Sequence, residues 1–281
     1  MEVWALTAGA GESGLPFGNE PVPAPGFSGH MKKIITEWVI YQSMHLEWFG
    51  WSLLLLLIWG IVRENVHSHE IRKEMLVVSA WTSLLALTEP LFVPRYWDPP
   101  SLFDLAQTTG FDLESFIFCF AIGGIGYALY MVFFPVGHEP PVPRDERIDA
   151  RHKYHFPLLM STPALFIALF LLTGLNPIYS AIVSMMAGGI ATWYCRPDLK
   201  RKMAVSAVLF LCLYFLYFIT LIAAAPGYVE RVWNLGAISG VLVFGVPLEE
   251  LMFAFAFGFY WSTVYEHFTW KEVPVKYIPG Y

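Results

Sequence analysis

The sequence predicts an all-α, polytopic membrane protein with seven transmembrane helices, two three-helix repeats joined by a connector helix. Three observations carry this. The 281 residues are 56% hydrophobic and only 14% charged. Soluble domains average roughly 25% charged, and their surfaces must keep polar groups in water. Seven stretches are apolar enough, over close to the roughly 20 residues a spanning helix requires, to cross a bilayer. A tryptophan-then-carboxylate pattern also occurs twice at nearly the same spacing.

The elements follow in order. Residues 1–45 read as a Pro/Gly-rich arm outside the membrane, without the charged and apolar regions of a signal peptide. Its Gly9-Ala10-Gly11-Glu12-Ser13-Gly14 matches a dinucleotide fingerprint in letters only. Leu15-Pro16 follows where a helix would have to start. Residues 46–134 form the first repeat, with helices at 46–62, 75–93 and 112–134. Residues 135–173 hold a cytoplasmic loop and the connector helix, 156–173. Residues 174–265 form the second repeat, with helices at 176–194, 203–224 and 236–260. The turn Gly174-Leu175-Asn176-Pro177 opens it, and Gly188 and Gly189 interrupt its first helix. Residues 266–281 are a cytoplasmic tail.

Charge sets the orientation. Thirteen Lys and Arg fall in 63–74, 135–155, 195–202 and the tail, against Lys32, Lys33, Arg95 and Arg231 on the other side. By the positive-inside rule the N-terminus is outside and the C-terminus cytoplasmic. A net charge of −6 without an extended basic cluster excludes a nucleic-acid partner. Cys119, Cys195 and Cys212 are scattered and read as small buried hydrophobes, neither a disulfide framework nor a zinc site.

The first copy of the repeat runs Arg72-Lys73-Glu74-Met75, an apolar helix, Trp97-Asp98, then Asp112-Leu113-Glu114-Ser115. The second runs Lys200-Arg201-Lys202-Met203, an apolar helix, Trp233-Asn234, then Pro247-Leu248-Glu249-Glu250. Each places a phenylalanine (Phe118, Phe253) four residues after its glutamate, on the same helix face. A carboxylate in a membrane helix costs about 2.5–3.5 kcal/mol on insertion scales. Glu249 and Glu250 point about 100° apart, so at least one should face a cavity or a neighbouring helix. A packing hydrogen bond is the simplest role. The repeated pair beside aromatic rings points to a site.

A buried carboxyl resists ionisation and can act as a general acid. In an oily pocket the proton acceptor at hand is an alkene. The resulting carbocation survives where water is excluded, and aromatic faces stabilise it without attacking it. The composition, 17% aromatic, suits acid-initiated cyclisation of an isoprenoid. An interfacial belt accounts for Trp48, Trp51, Trp193 and Trp270. It accounts less well for the run from Phe253 to Trp261.

Gly245-Val246-Pro247-Leu248-Glu249-Glu250-Leu251-Met252-Phe253, with Trp233-Asn234 upstream, resembles the membrane-integral, flavin-independent lycopene cyclases of bacteria, archaea and fungi, whose signature is Pro-x-Glu-Glu followed by Phe in two homologous halves. The resemblance covers the chain from Arg72 onward. It implies carotenoid biosynthesis in a bacterial or archaeal cell membrane, an isomerase closing the ends of lycopene to β-rings, and no cofactor. Carried over, Glu249 and Glu250 would be the acid/base pair and Glu114 the matching carboxyl of the first half. Trp97 and Trp233, with Asp112, Glu89, Pro247, Phe118 and Phe253, would line the pocket. The first copy lacks both the proline and the second glutamate, and the long N-terminal arm is an addition to the family pattern.

Other readings compete. A retinal protein needs a lysine in its last helix, and 236–266 has none. His67, His69, His138, His152, His155 and His267 lie on the predicted cytoplasmic side but lack the boxes of membrane di-iron hydroxylases, and they read as solvated or facing lipid headgroups. A non-enzymatic subunit that binds a carotenoid, quinone or lipid and contacts membrane partners through its arm remains the alternative to an enzyme.

Overall fold

The computed structural model describes residues 27–134 and 154–272, with side chains from Leu46 onward in the first segment. The chain divides into Met1–Tyr41 and Gln42–Tyr281. The fingerprint-like Gly9–Gly14 stretch, the loop 135–153 and the tail beyond Glu272 lie outside the described residues, as do His138 and His152.

The described residues are helical apart from one two-residue hairpin and its loops. The long elements are α1 (Phe27–Asn65), α2 (His69–Ser83), α5 (Leu113–Phe133), α6 (His155–Leu172), α7 (Pro177–Cys195), α8 (Lys200–Ala224) and α10 (Leu248–Trp261). Short helices α3 (Glu89–Phe92), α4 (Leu105–Thr109), α9 (Tyr228–Val232) and α11 (Val264–Thr269) lie between or after them. Six segments among the described residues are long and apolar enough to cross a membrane: Leu46–Asn65, His69–Phe92, Leu113–Phe133, His155–Leu172, Pro177–Cys195 and Pro197–Ala224.

The sequence reading differs from this in three places. Helix α1 begins at Phe27, within the segment read as an arm. The last proline of that arm is Pro25, and nothing from Phe27 onward forbids a helix. Helix α7 runs unbroken through Gly188 and Gly189. A Cβ on Gly188 would lie 1.7 Å from Thr162 Oγ1, and one on Gly189 2.4 Å from the Phe259 ring, so these glycines are contact points with α6 and α10. The window 236–260 is not one long helix. Strands β1 (Leu242–Val243) and β2 (Val246–Pro247) pair antiparallel, with Phe244 and Gly245 at φ 53° and 85° in the turn. Two consecutive positive φ values make the tight hairpin turn that Gly suits. Pro247 then permits a helix only from Leu248 onward. The 14 residues of α10 reach about 21 Å, short of the roughly 30 Å apolar layer.

Two helix pairs pack alike. α2 lies mainly on α5, α8 lies mainly on α10, and α5 meets α8 between them. Gly123 and Gly258 each lie ten residues past the start of their helix, 113 to 123 and 248 to 258. A Cβ on Gly123 would fall 2.1 Å from Thr82 Oγ1 of α2, and one on Gly258 2.6 Å from the Ser206 carbonyl oxygen of α8. Only glycine lets either helix pair approach this closely. The segments preceding α5 and α10 also pair: Trp97 and Trp233 form an antiparallel bridge. Asp98 N–H donates to the Val232 carbonyl at 2.8 Å, and Asn234 N–H donates to the Tyr96 carbonyl at 2.9 Å. This reciprocal exchange joins the loops that precede α5 and α10.

Candidate functional site

The first turn of α10 carries Glu249 and Glu250, both buried. Acidic residues are favourable at a helix N-terminus, where free backbone N–H groups face outward, so the local fold supports the pair before any tertiary contact forms. The two side chains then diverge. Glu249 Oε1 accepts from the Tyr179 hydroxyl at 2.5 Å and from Ser239 N–H at 2.9 Å. Its Oε2 is buried and has no hydrogen-bond partner among the described residues. Glu250 has both oxygens engaged. Oε1 accepts from the Tyr96 hydroxyl at 2.6 Å and the Trp233 indole N–H at 2.9 Å, and Oε2 accepts from the Tyr214 hydroxyl at 2.8 Å.

Each donor comes from a different element. Tyr179 is in the first turn of α7, whose N-cap Asn176 accepts from Ile178 N–H and donates to the carbonyls of Arg95 and Ala237. One asparagine therefore starts α7 and ties the loops carrying Arg95 and Ala237 to it. Tyr214 lies mid-α8, Trp233 follows α9, and Tyr96 comes from the loop after α3. Burial and the adjacent Glu250 carboxyl push the Tyr96 phenol well above its usual range, so it stays a donor.

The first half has the same layout with different partners. Asp112 caps α5, its Oδ1 accepting from Ser115 N–H at 2.5 Å. Burial raises Asp112 above the usual carboxylate range. Glu114 Oε1 accepts from Leu102 N–H at 2.6 Å, as Glu249 accepts from Ser239, in each half a backbone donor from the loop before the helix. Ser115 occupies the position that corresponds to Glu250, and its hydroxyl donates to Glu89 Oε2 at 2.8 Å. Glu89 Oε1, Asp112 Oδ2 and Glu114 Oε2 are buried without a hydrogen-bond partner among the described residues.

Aromatic rings connect the two carboxylate groups. Trp97 stands between Trp48 at 4.8 Å and Trp233 at 5.7 Å between ring centroids. Phe118 lies 5.6 Å from Trp48 and 6.4 Å from Tyr214, and Phe253 lies 6.2 Å from Tyr214. The two phenylalanines chosen from the repeat thus flank one tyrosine that donates to Glu250. Pro247 is buried at the end of β2. Trp48 is 3% exposed, so it belongs to this ring cluster and not to an interfacial belt. Burial also corrects two histidines. His155 and His267 are buried and not solvated, while His67 and His69 are exposed.

Sequence reasoning did not find Tyr96, Tyr179, Tyr214 or Ser239. Tyr214 had one available signal, a phenol in the middle of an apolar helix, which needs a partner when buried. The other three are placed only by loop packing.

Comparison with known proteins gives one match. Residues 176–268 fit the family model described as lycopene cyclase. No curated protein and no solved structure matches the chain. The matched stretch contains Tyr179, Tyr214, Trp233, Ser239, Glu249 and Glu250, while Tyr96, Glu89 and Glu114 lie before it. The chain is thus similar to the lycopene cyclases over residues 176–268 and has six helices long and apolar enough to cross a membrane, which makes it carotenoid cyclase-like.

Proposed function

We propose that the chain is an acid-initiated carotenoid cyclase that closes the ends of lycopene to β-rings, with its chemistry at the start of α10. The observation that carries this is the asymmetry of the glutamate pair. Glu250 has both oxygens held, by three donors, and keeps none open for a proton transfer. Glu249 has one oxygen doubly held and the other buried and uncommitted. A neutral carboxyl with its carbonyl oxygen accepting two hydrogen bonds leaves its O–H pointing elsewhere. Glu249 Oε2 is the atom we assign to the reacting proton.

In this reading Glu249 protonates the terminal alkene of a bound polyene. The cation is attacked by an internal double bond to close the ring, and a ring proton returns to a carboxylate. One proton enters and one leaves, with no net redox change. Glu250, fixed by Tyr96, Trp233 and Tyr214, forms a rigid hydrogen-bonded wall beside the reacting carboxyl. Trp97, Trp233, Phe118 and Phe253 present ring faces to it. Glu114, Asp112 and Glu89 form the corresponding group of the first half. The outer position of the site follows from the charge asymmetry, with the N-terminus outside. A bacterial or archaeal cell membrane is the proposed location.

The test is expression in a lycopene-accumulating host. Wild type should yield β- or γ-carotene, and Glu249→Gln should not, while remaining folded in the membrane. A well-expressed wild type that forms no cyclic product overturns the enzyme reading and leaves a carotenoid-binding subunit.

A further inference from the structure

The start of α6, the end of α7 and α11 meet at a cluster that the reaction above does not use. His155 is the first residue of α6, Cys195 the last of α7, and His267 lies in α11. All three are buried. One ligand atom from each lies within 4.8 Å of those of the other two. Cys195 Sγ is 3.4 Å from His155 Nδ1. A tetrahedral zinc ion with bonds of about 2.3 Å to sulfur and about 2.0 Å to nitrogen holds such a pair roughly 3.5 Å apart.

The hydrogen bonds around the cluster match the requirements of a ligand set. His155 Nε2 is 2.9 Å from the His267 carbonyl oxygen. A carbonyl only accepts, so Nε2 carries the hydrogen, and in its neutral form the ring would turn its Nδ1 lone pair toward Cys195. Metal-bound histidines are oriented in this way through their other ring nitrogen. The second ring is oriented too, since Thr192 Oγ1 lies 3.1 Å from His267 Nδ1. The indole of Trp270 stacks on His155 at 3.7 Å and 17°, and the two imidazoles meet edge-on at 4.4 Å. Arg196, next to the cysteine, donates to the carbonyls of Glu266 and Lys271 and holds the backbone on either side of His267 against the end of α7. A nitrogen–nitrogen–sulfur donor set favours a borderline metal such as zinc over magnesium or calcium.

We propose that His155, Cys195 and His267 bind a single zinc-class ion that clasps α6 and α11 to the end of α7. The site stands apart from the glutamate pair. Tyr179, which holds Glu249, is at the other end of α7, about 24 Å along the helix. The proposal therefore does not depend on the chain being a cyclase. The clasp contributes to folding: a metal that binds only the folded chain stabilises it.

The experiment uses full-length protein in detergent with an affinity tag that contains no histidine, incubated with zinc, dialysed and assayed by mass spectrometry. Stoichiometric zinc is expected, with loss to background in Cys195→Ser and in His267→Gln, and about a tenfold weakening in Thr192→Val. Chelator should lower the thermal midpoint of wild type but not of Cys195→Ser. Cobalt(II) loading of wild type should give a thiolate-to-metal charge-transfer band, a readout that holds even where the variants fail to fold. Wild type that retains no zinc and shows no such band overturns the proposal and leaves a hydrogen-bonded cluster. Zinc binding unchanged in both ligand variants overturns it as well.

Discussion

The two halves of the molecule place carboxylates at the same helical positions and treat them differently. In the second half, three aromatic donors converge on Glu250, and Tyr96 among them is lent by the first half. Glu249 is left with one open oxygen. In the first half, Glu89, Asp112 and Glu114 each have one oxygen engaged and one buried without a hydrogen bond among the described residues. No second glutamate follows Glu114, and Ser115 takes its place. The contrast teaches that equivalent placement does not confer equivalent chemistry. On the reading proposed above, the carboxyl with three donors is a fixed partner and the one with an open oxygen passes the proton. Only the second half holds one of each side by side.

The largest expected effect breaks the comparison at the reacting proton. Glu249→Gln should lower cyclisation about 10²–10⁴-fold, the usual scale for losing a general acid, measured as cyclic carotenoid formed by isolated membranes. Glu114→Gln should lose less. Equal losses would mean that both halves carry out proton transfer.

The next effect concerns the shared glycine contact. Gly258→Ala should destabilise by about 1–3 kcal/mol in thermal or denaturant unfolding, because its Cβ would meet the Ser206 carbonyl, which cannot rotate away. Gly123→Ala meets Thr82 Oγ1, which can rotate, and Thr82 Cβ, which the backbone fixes, so a loss of similar size is expected. A much smaller loss would show that the α2–α5 contact can yield.

Tyr96→Phe removes the donor that the first half lends. A stability loss of about 1 kcal/mol is expected, together with a drop in cyclisation that Trp233→Phe reproduces. A variant with unchanged activity would show that Glu250 needs only the donors of its own half.

The smallest effect is on pH. Asp112 is raised in the folded protein by burial. The folded state therefore holds its proton more tightly than the unfolded chain, and this stability is fully present below the ordinary carboxylate range. It is lost as pH rises through the raised value. Asp112→Asn keeps a capping side chain and should flatten that decline, with a change within about 1 kcal/mol near neutral pH. A stability curve with the same slope in both proteins would remove Asp112 from the account.

Much of this was legible in the chain. Hydropathy located six of the helices, because twenty apolar residues in a row leave few alternatives. The repeat picked out Glu114, Glu249, Phe118 and Phe253, because helical spacing is local. The seventh window differs, since apolar content hid the Phe244-Gly245 turn, which bends the backbone into a hairpin, and Pro247, after which α10 starts. Trp48 was misplaced because a tryptophan near a helix end looks the same whether it faces headgroups or a neighbouring ring.

The sequence by itself determined that the protein is helical and suited to a membrane, and which acids lie at or near the starts of its helices. Those properties depend on composition and on periods of a few residues. Only the tertiary structure decided which oxygen of which glutamate is free, and that Tyr96 reaches Glu250 across 154 positions. It also decided that His155, Cys195 and His267 meet at all. Their separations of 40 and 112 positions are bridged by helix packing and loop pairing, and no local pattern in a chain records which distant groups those contacts will bring within hydrogen-bonding distance.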